Sequence, residues 1–201
     1  MTTYNICTLP GDGIGPEIMA EAKRVLELIG RQEGVEFVCT DALIGCAAID
    51  ATTAAGDKVT ALPDATLAAA READAVLLAA VGGPKWNSTD PNSVRPEQGL
   101  LGIRKELGLY LNLRPVRIYK ALAGASPLRP ELLEGVDLMI VRELTGGLYF
   151  GEHTRTERDG AALDGGSGQV ARDGMDYAEY EIERVVRAAF EMANRTARKH
   201  V

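Results

Sequence analysis

The chain has 201 residues, enough for one large or two small domains around a buried core, and 46% hydrophobic with 25% charged residues is a globular composition. A net charge of -7, with no basic run beyond "ARKH" near the end, argues against nucleic acid as a partner. No apolar run approaches membrane-spanning length, and "MTTYNICTLP" has neither a charged n-region nor a long apolar core, so a soluble cytoplasmic protein is expected, with no membrane partner.

Residues 4 to 9 read as a strand, and "GDGIGPE" follows as a glycine turn into a helix. The dinucleotide fingerprint asks for G-x-G-x-x-G; here Gly11, Gly13 and Gly15 alternate and Pro16 stands where the third glycine belongs. Proline suits a first helical position, where no N–H is needed, and Glu17 favours the first turn. The helix should bury Ile18, Ala22, Val25, Leu26 and Ile29 and close at Gly30. A second strand is expected at "VEFVCT" (35–40), a helix from Pro63 to Ala73, and a strand at "AVLLAAV" (75–81). That uninterrupted apolar run predicts burial on both faces, hence a parallel sheet in a layered α/β unit. Cys7, Cys39 and Cys46 lie in apolar surroundings without C-x-x-C spacing and are expected to be buried thiols of a reducing compartment.

Residues 81 to 99 form a long glycine- and proline-marked loop leaving the carboxyl end of that strand, where open α/β sheets bind ligands. Pro96 can open a short helix on which Glu97, Leu100, Leu101 and Arg104 share one face. The plain alternative is a surface helix with its leucines packed inward. Beyond residue 110, "LYLNLRPVRIY" and "DLMIVREL" are strand-like, with Arg114 and Arg142 at their ends. With Arg104 these arginines suit a small di-acid, since a guanidinium fork matches a carboxylate bidentately; singly, each is an ordinary surface charge. Tyr149 follows closely as a candidate acid-base group. The polar, glycine-rich stretch 145–176 reads as a loop, an arm or a lid. A last helix opens at Asp176 with Glu179 three residues on, buries Ile182, Val185, Val186, Ala189 and Ala193, and carries the outer pairs Glu183–Arg187 and Glu191–Arg195. His153 and His200 offer no nucleophile triad.

Taken together, "LPGDGIGPEIM", "AAVGGPKW", "RPEQGLLGIRKELGLYLNLRPV", "VRELTGGLYFGEH" and "EIERVVRAAFEMANRTARKHV" resemble successive signatures of the isopropylmalate dehydrogenases, within the β-decarboxylating dehydrogenase family that also includes isocitrate and tartrate dehydrogenases. The resemblance implies a non-Rossmann layered α/β fold, incomplete at its carboxyl end, with residues 1–109 in a cofactor-side domain. Residues 110–201 then belong to a substrate and dimerisation domain whose arm spans about 148–176. It implies NAD as cofactor, with Ile14, Gly82, Gly83 and Glu97 at its nicotinamide end, and 3-isopropylmalate as substrate. Arg104, Arg114 and Arg142 would take the carboxylates, Leu100 and Leu101 would cup the isopropyl group, and Tyr149 would be the catalytic tyrosine. A homodimer through the arm is also implied.

Family members run on for nearly as many residues again. The resemblance places a catalytic lysine, the aspartates that hold Mg2+ or Mn2+, and most of the NAD site beyond Val201, leaving no metal ligand within the chain. Two readings stay open: the amino-terminal part of such an enzyme, inactive on its own, and a non-catalytic homologue whose arm and final helix dimerise or bind a partner.

Overall fold

The structure is a computed structural model that describes residues 2–88, 90, 93–158 and 168–201. It divides into two units, Met1–Leu107 and Gly108–Val201. In the first, β1 (Thr2–Gly11) lies between β2 (Val35–Asp41) and β3 (Ala75–Ala80), and both pairings are parallel. Parallel neighbours need crossovers. These are α1 (Gly15–Glu33) between β1 and β2, then α2 (Cys46–Ala55) and α3 (Asp64–Glu72) before β3. A 3₁₀ turn, Pro84–Trp86, and α4 (Pro96–Glu106) complete this α/β unit.

The doubly buried strand is β1, not β3. Ile6, Cys7, Thr8 and Leu9 are all buried, whereas Val76 to Ala80 are half-buried because β3 is an edge of the sheet. The core gathers Cys7, Leu9, Ile44, Ala70 and Ile103, with Leu62, Val76 and Leu78 packed against it. Thr8 is also buried; its hydroxyl donates to Asp41 Oδ1 at 2.5 Å, and Lys23 Nζ reaches the same oxygen at 2.6 Å. Lys23, then Thr8, holds the Asp41 carboxyl below its ordinary range. Of the three thiols only Cys7 is buried; Cys39 and Cys46 are half-buried.

Several elements start or face differently from expectation. Helix α1 takes Gly15 as its first residue with Pro16 next, and it runs on to Glu33 before Gly34 closes it in the left-handed conformation. Its buried residues are Gly15, Met19 and Gly30, while Ile18, Val25 and Ile29 are exposed. Periodicity identified the helix and two inward residues, Ala22 and Leu26, which are half-buried, but misplaced the other three because apolar residues occupy more than one side of it. Helix α2 carried no polar capping residue to announce it; its N-cap is Gly45.

In the second unit β4 (Leu111–Arg117) pairs antiparallel with β5 (Asp137–Glu143), and β6 (His153–Arg158) with β7 (Gly168–Asp173). The β6–β7 pair falls in the glycine-rich stretch expected to form an arm; residues 159–167 of that stretch lie outside the described ones. His153 Nδ1 lies 2.8 Å from Asp173 Oδ1 across this ladder. Helix α5 (Glu179–Asn194) begins after Ala178, not at Asp176, and Glu181 closes its box by accepting the Ala178 N–H at 2.8 Å. Ala189 and Ala193 are half-buried as expected, but Ile182 and Val186 are exposed. Glu183 pairs with Arg187 at 2.5 Å; among the described residues no ion pair joins Glu191 to Arg195, and Glu191 instead adds to the field that raises the Arg187 pKa. No helix among the described residues is long and apolar enough to cross a membrane.

Candidate functional site

At the carboxyl ends of β1 and β3 the first unit gathers the turn 11–15, the segment after β3 and the start of α4. Ile14 is 61% exposed on the turn. Gly82, at φ +114°, holds a conformation that favours glycine, and a Cβ there would stand 3.0 Å from Glu97 Oε1. The structure therefore brings Gly82 and Glu97 together, with the Glu97 carboxylate exposed. Cys46 Sγ would lie 3.7 Å from a Cβ on Gly83. Burial, then the nearby Asp12, Asp50 and Glu97 carboxylates, push the Cys46 thiol up to about 11, so it is no thiolate nucleophile at neutral pH.

Helix α4 presents its expected stripe. Its inward residues are Pro96, Gly99 and Ile103, and Gly99 packs so closely that a Cβ would meet Ala61 O at 2.4 Å. Leu100, Leu101 and Arg104 are half-buried and Glu97 is exposed. Two leucines beside an acid and an arginine form a surface that could take an apolar group flanked by charge.

The second unit carries the other candidates. Arg142 sits near the end of β5, but Arg114 is mid-strand in β4. Register sets Asn112 opposite Arg142, and side chains two apart on a strand share a face, so Arg114 and Arg142 project from one face. Arg114 Nε donates to Asn112 Oδ1 at 2.8 Å, and the Arg142 guanidinium lies over the Tyr149 ring at 5.5 Å. No carboxylate pairs with either arginine among the described residues. Two uncompensated guanidinium groups beside an exposed phenol suit a small dicarboxylate.

Behind this face lies a clamp that sequence reasoning missed. Arg184 on α5 forks onto Glu143, Nε to Oε2 at 3.1 Å and Nη2 to Oε1 at 2.7 Å, and also donates to Thr145 Oγ1. Glu143 Oε1 further accepts the Thr145 N–H and hydroxyl, both at 2.8 Å, and the Gly146 N–H at 3.2 Å. Tyr110 and Tyr180 flank the guanidinium at 4.4 and 5.1 Å. The clamp fixes the turn from Glu143 toward Tyr149. Its sequence signal was the acid beside Arg142 in "VREL", invisible without knowing which α5 arginine reaches it.

The family model for isocitrate/isopropylmalate dehydrogenase matches residues 5–201. The chain belongs to this family. The 3-isopropylmalate dehydrogenase of Moorella thermoacetica is 53% identical over 191 residues, covering 94% of this chain and 50% of that protein; that of Nitrobacter winogradskyi is 52% identical over 200 residues, covering 99% and 50%. The chain thus spans about half the length of the curated relatives it matches. Among solved structures, the apo β-decarboxylating dehydrogenase of Thermococcus kodakarensis superposes with TM-score 0.56 at 31% identity, covering 95% of this chain and 46% of that one. A Thermus thermophilus protein gives 0.64 at 26%, covering 94% and 32%.

The family implies a nicotinamide cofactor and a divalent metal. The residue types present are compatible with the nicotinamide end of NAD: Ile14 is exposed and could offer an apolar contact, Gly82 and Gly83 carry no side chain, and the exposed Glu97 carboxylate could accept a ribose hydroxyl. Among the described residues no group of three or more His, Cys, Asp or Glu is placed to hold a metal ion.

Arg114 allows a test of the dicarboxylate face in the complete family enzyme. Arg114→Lys keeps the charge but loses the fork, so the substrate Michaelis constant is expected to rise about tenfold or more, a cost of roughly 1.4 kcal/mol or above. Because the side chain is exposed and, among the described residues, bonds only Asn112, thermal unfolding should move little. Normal kinetics with easy unfolding would instead make Arg114 a structural residue.

Proposed function

We propose that this chain forms part of an NAD-dependent dehydrogenase that converts 3-isopropylmalate to 4-methyl-2-oxopentanoate and CO2, a step of leucine biosynthesis, in the cytoplasm. The observation that carries the reading is the face of Arg114 and Arg142, without carboxylate partners among the described residues and with Tyr149 against Arg142. Residues 1–109 belong to the cofactor-side domain and 110–201 to the substrate domain, whose arm joins two copies as a homodimer.

In this reading Arg104, Arg114 and Arg142 hold the two malate carboxylates, and Leu100 and Leu101 contact the isopropyl group. Isocitrate would bring a third carboxylate against those leucines, and burying even a polar group without a partner costs roughly 2–7 kcal/mol. Ile14, Gly82, Gly83 and Glu97 would hold the nicotinamide end of NAD, which would supply the hydride acceptor for the substrate's C2. The arginines keep both carboxylates fixed as C2 becomes a ketone, its hydroxyl proton passing to the catalytic lysine that the family resemblance implies. The C3 carboxylate then leaves as CO2, its bonding electrons pass to the enolate, and Tyr149 delivers a proton to C3.

The test is complementation. The 201-residue chain alone, given NAD, Mg2+ and 3-isopropylmalate, is expected to form no NADH. Mixed with the remaining half of the Moorella thermoacetica relative as a separate polypeptide, it should form NADH and CO2 together and prefer isopropylmalate to isocitrate. A pair that associates on size-exclusion chromatography yet stays silent, or one that prefers isocitrate, would overturn the reading.

A further inference from the structure

Asp12 is 6% exposed, and the described residues pair no cation with it. A buried carboxylate is costly unless its oxygens are satisfied. Here backbone amides satisfy them: Oδ2 accepts the Cys46 N–H at 2.9 Å and the Gly82 N–H at 2.8 Å, and Oδ1 accepts the Ala47 N–H at 2.9 Å. The donors lie 34, 35 and 70 residues along the chain. Cys46 and Ala47 open α2, whose N-cap Gly45 has no side chain to cap it. Asp12 therefore caps that helix from another segment and meets its positive end. Gly45 makes the approach possible, because it sits at φ +71° and a Cβ there would stand 2.3 Å from Asp12 Oδ2. The Asp12 backbone completes the joint: its N–H donates to Ala80 O and its carbonyl accepts the Gly15 N–H, both at 2.8 Å.

We propose that Asp12 is a positioning residue whose single carboxylate locks the turn carrying Ile14, the amino end of α2 and the Gly82–Gly83 segment into one frame for the nicotinamide end of the cofactor. The inference rests on the proposed function for its ligand, but the frame itself is a property of this chain. Asp12 touches none of the reacting atoms; it acts through the backbone of Gly82 and the turn. Asparagine in its place has one acceptor oxygen and one NH2, so at least one of the three amides would face a donor.

Two measurements test it. In Asp12→Asn, hydrogen exchange of the Cys46, Ala47 and Gly82 amides in the 201-residue chain should accelerate together by about tenfold or more, as for the loss of a buried hydrogen bond, while the β1–β2 amides keep their protection. In the complemented enzyme the Michaelis constant for NAD should rise by about tenfold, with that for isopropylmalate within about twofold, because misplacing a positioning group weakens the ligand it serves. Should Asp12→Asn fail to fold, Cys46→Pro is the second variant. Proline is tolerated at a first helical position and removes the Cys46 N–H together with the thiol beside Asp12 while keeping the carboxylate, so Gly82 exchange should still quicken. Unchanged amides, a uniform loss of protection across the unit, or equal rises in both Michaelis constants would overturn the inference. A silent wild-type complemented enzyme would sink the proposed function and leave the exchange experiment to decide on Asp12.

Discussion

Replacing Tyr149 with Phe in the complemented enzyme is expected to slow formation of 4-methyl-2-oxopentanoate by about 10²- to 10⁴-fold, the usual worth of a positioned general acid. The substitution is clean in this structure. The Tyr149 side chain is half exposed, and its hydroxyl makes no hydrogen bond to protein among the described residues. Phenylalanine keeps the ring that faces Arg142, so the cation–ring contact and the stance of the arginine persist. Stability should shift by no more than about 0.5 kcal/mol, as for a surface change away from packing. The Michaelis constants for substrate and NAD should stay within a few-fold, since the lost group acts on the proton and not on the carboxylates. Rapid-mixing absorbance of NADH, read against product analysis, separates the stages: hydride transfer should survive as a burst while ketone product lags. Turnover equal to wild type would remove Tyr149 from the mechanism.

The parallel sheet and its crossovers were legible because apolar runs and glycine turns are local signals. The half-burial of β3 does not follow from "AVLLAAV" itself, which looks the same in a central strand as at an edge; only pairing distinguishes them. Candidate site residues stand out in sequence only where a marked motif carries them, as with Arg142, Tyr149 and the α4 stripe. The residues that hold those groups in place do not. Asp12 sits in the open in "GDGIGPE", but its partners lie 34 to 70 residues away. Glu143 likewise finds Arg184 41 residues on. Helix faces were read least well: α1 and α5 carry apolar residues on exposed sides as well as inner ones, so a 3.6-residue period fits more than one orientation.

Arg184→Ala is expected to lower stability by about 1.5–3 kcal/mol, because Glu143 loses its charge-assisted hydrogen bonds from the guanidinium while the Thr145 and Gly146 donors remain. The Glu143 side chain is only 7% exposed and that of Arg184 26%, so solvent cannot readily replace the fork. Acid should expose the same interaction. Burial alone would raise the Glu143 pKa, but the Arg184 hydrogen bonds and those from the Thr145 backbone and hydroxyl outweigh it and hold the carboxyl below the ordinary 4.5. Since the folded value lies below the unfolded one, the unfolded chain binds the extra proton. The stabilisation is then fully present above about pH 4.5 and drains away as pH falls through the folded value. Glu143→Gln should therefore be less stable than wild type at neutral pH and show a flatter loss of stability in acid. Urea unfolding followed by circular dichroism across the acid range would read both effects. Parallel acid curves for wild type and Glu143→Gln would show that this carboxylate does not govern the transition. An Arg184→Ala protein as stable as wild type would show that the backbone amides and hydroxyl around Glu143 suffice, and that the turn leading to Tyr149 stands without its arginine.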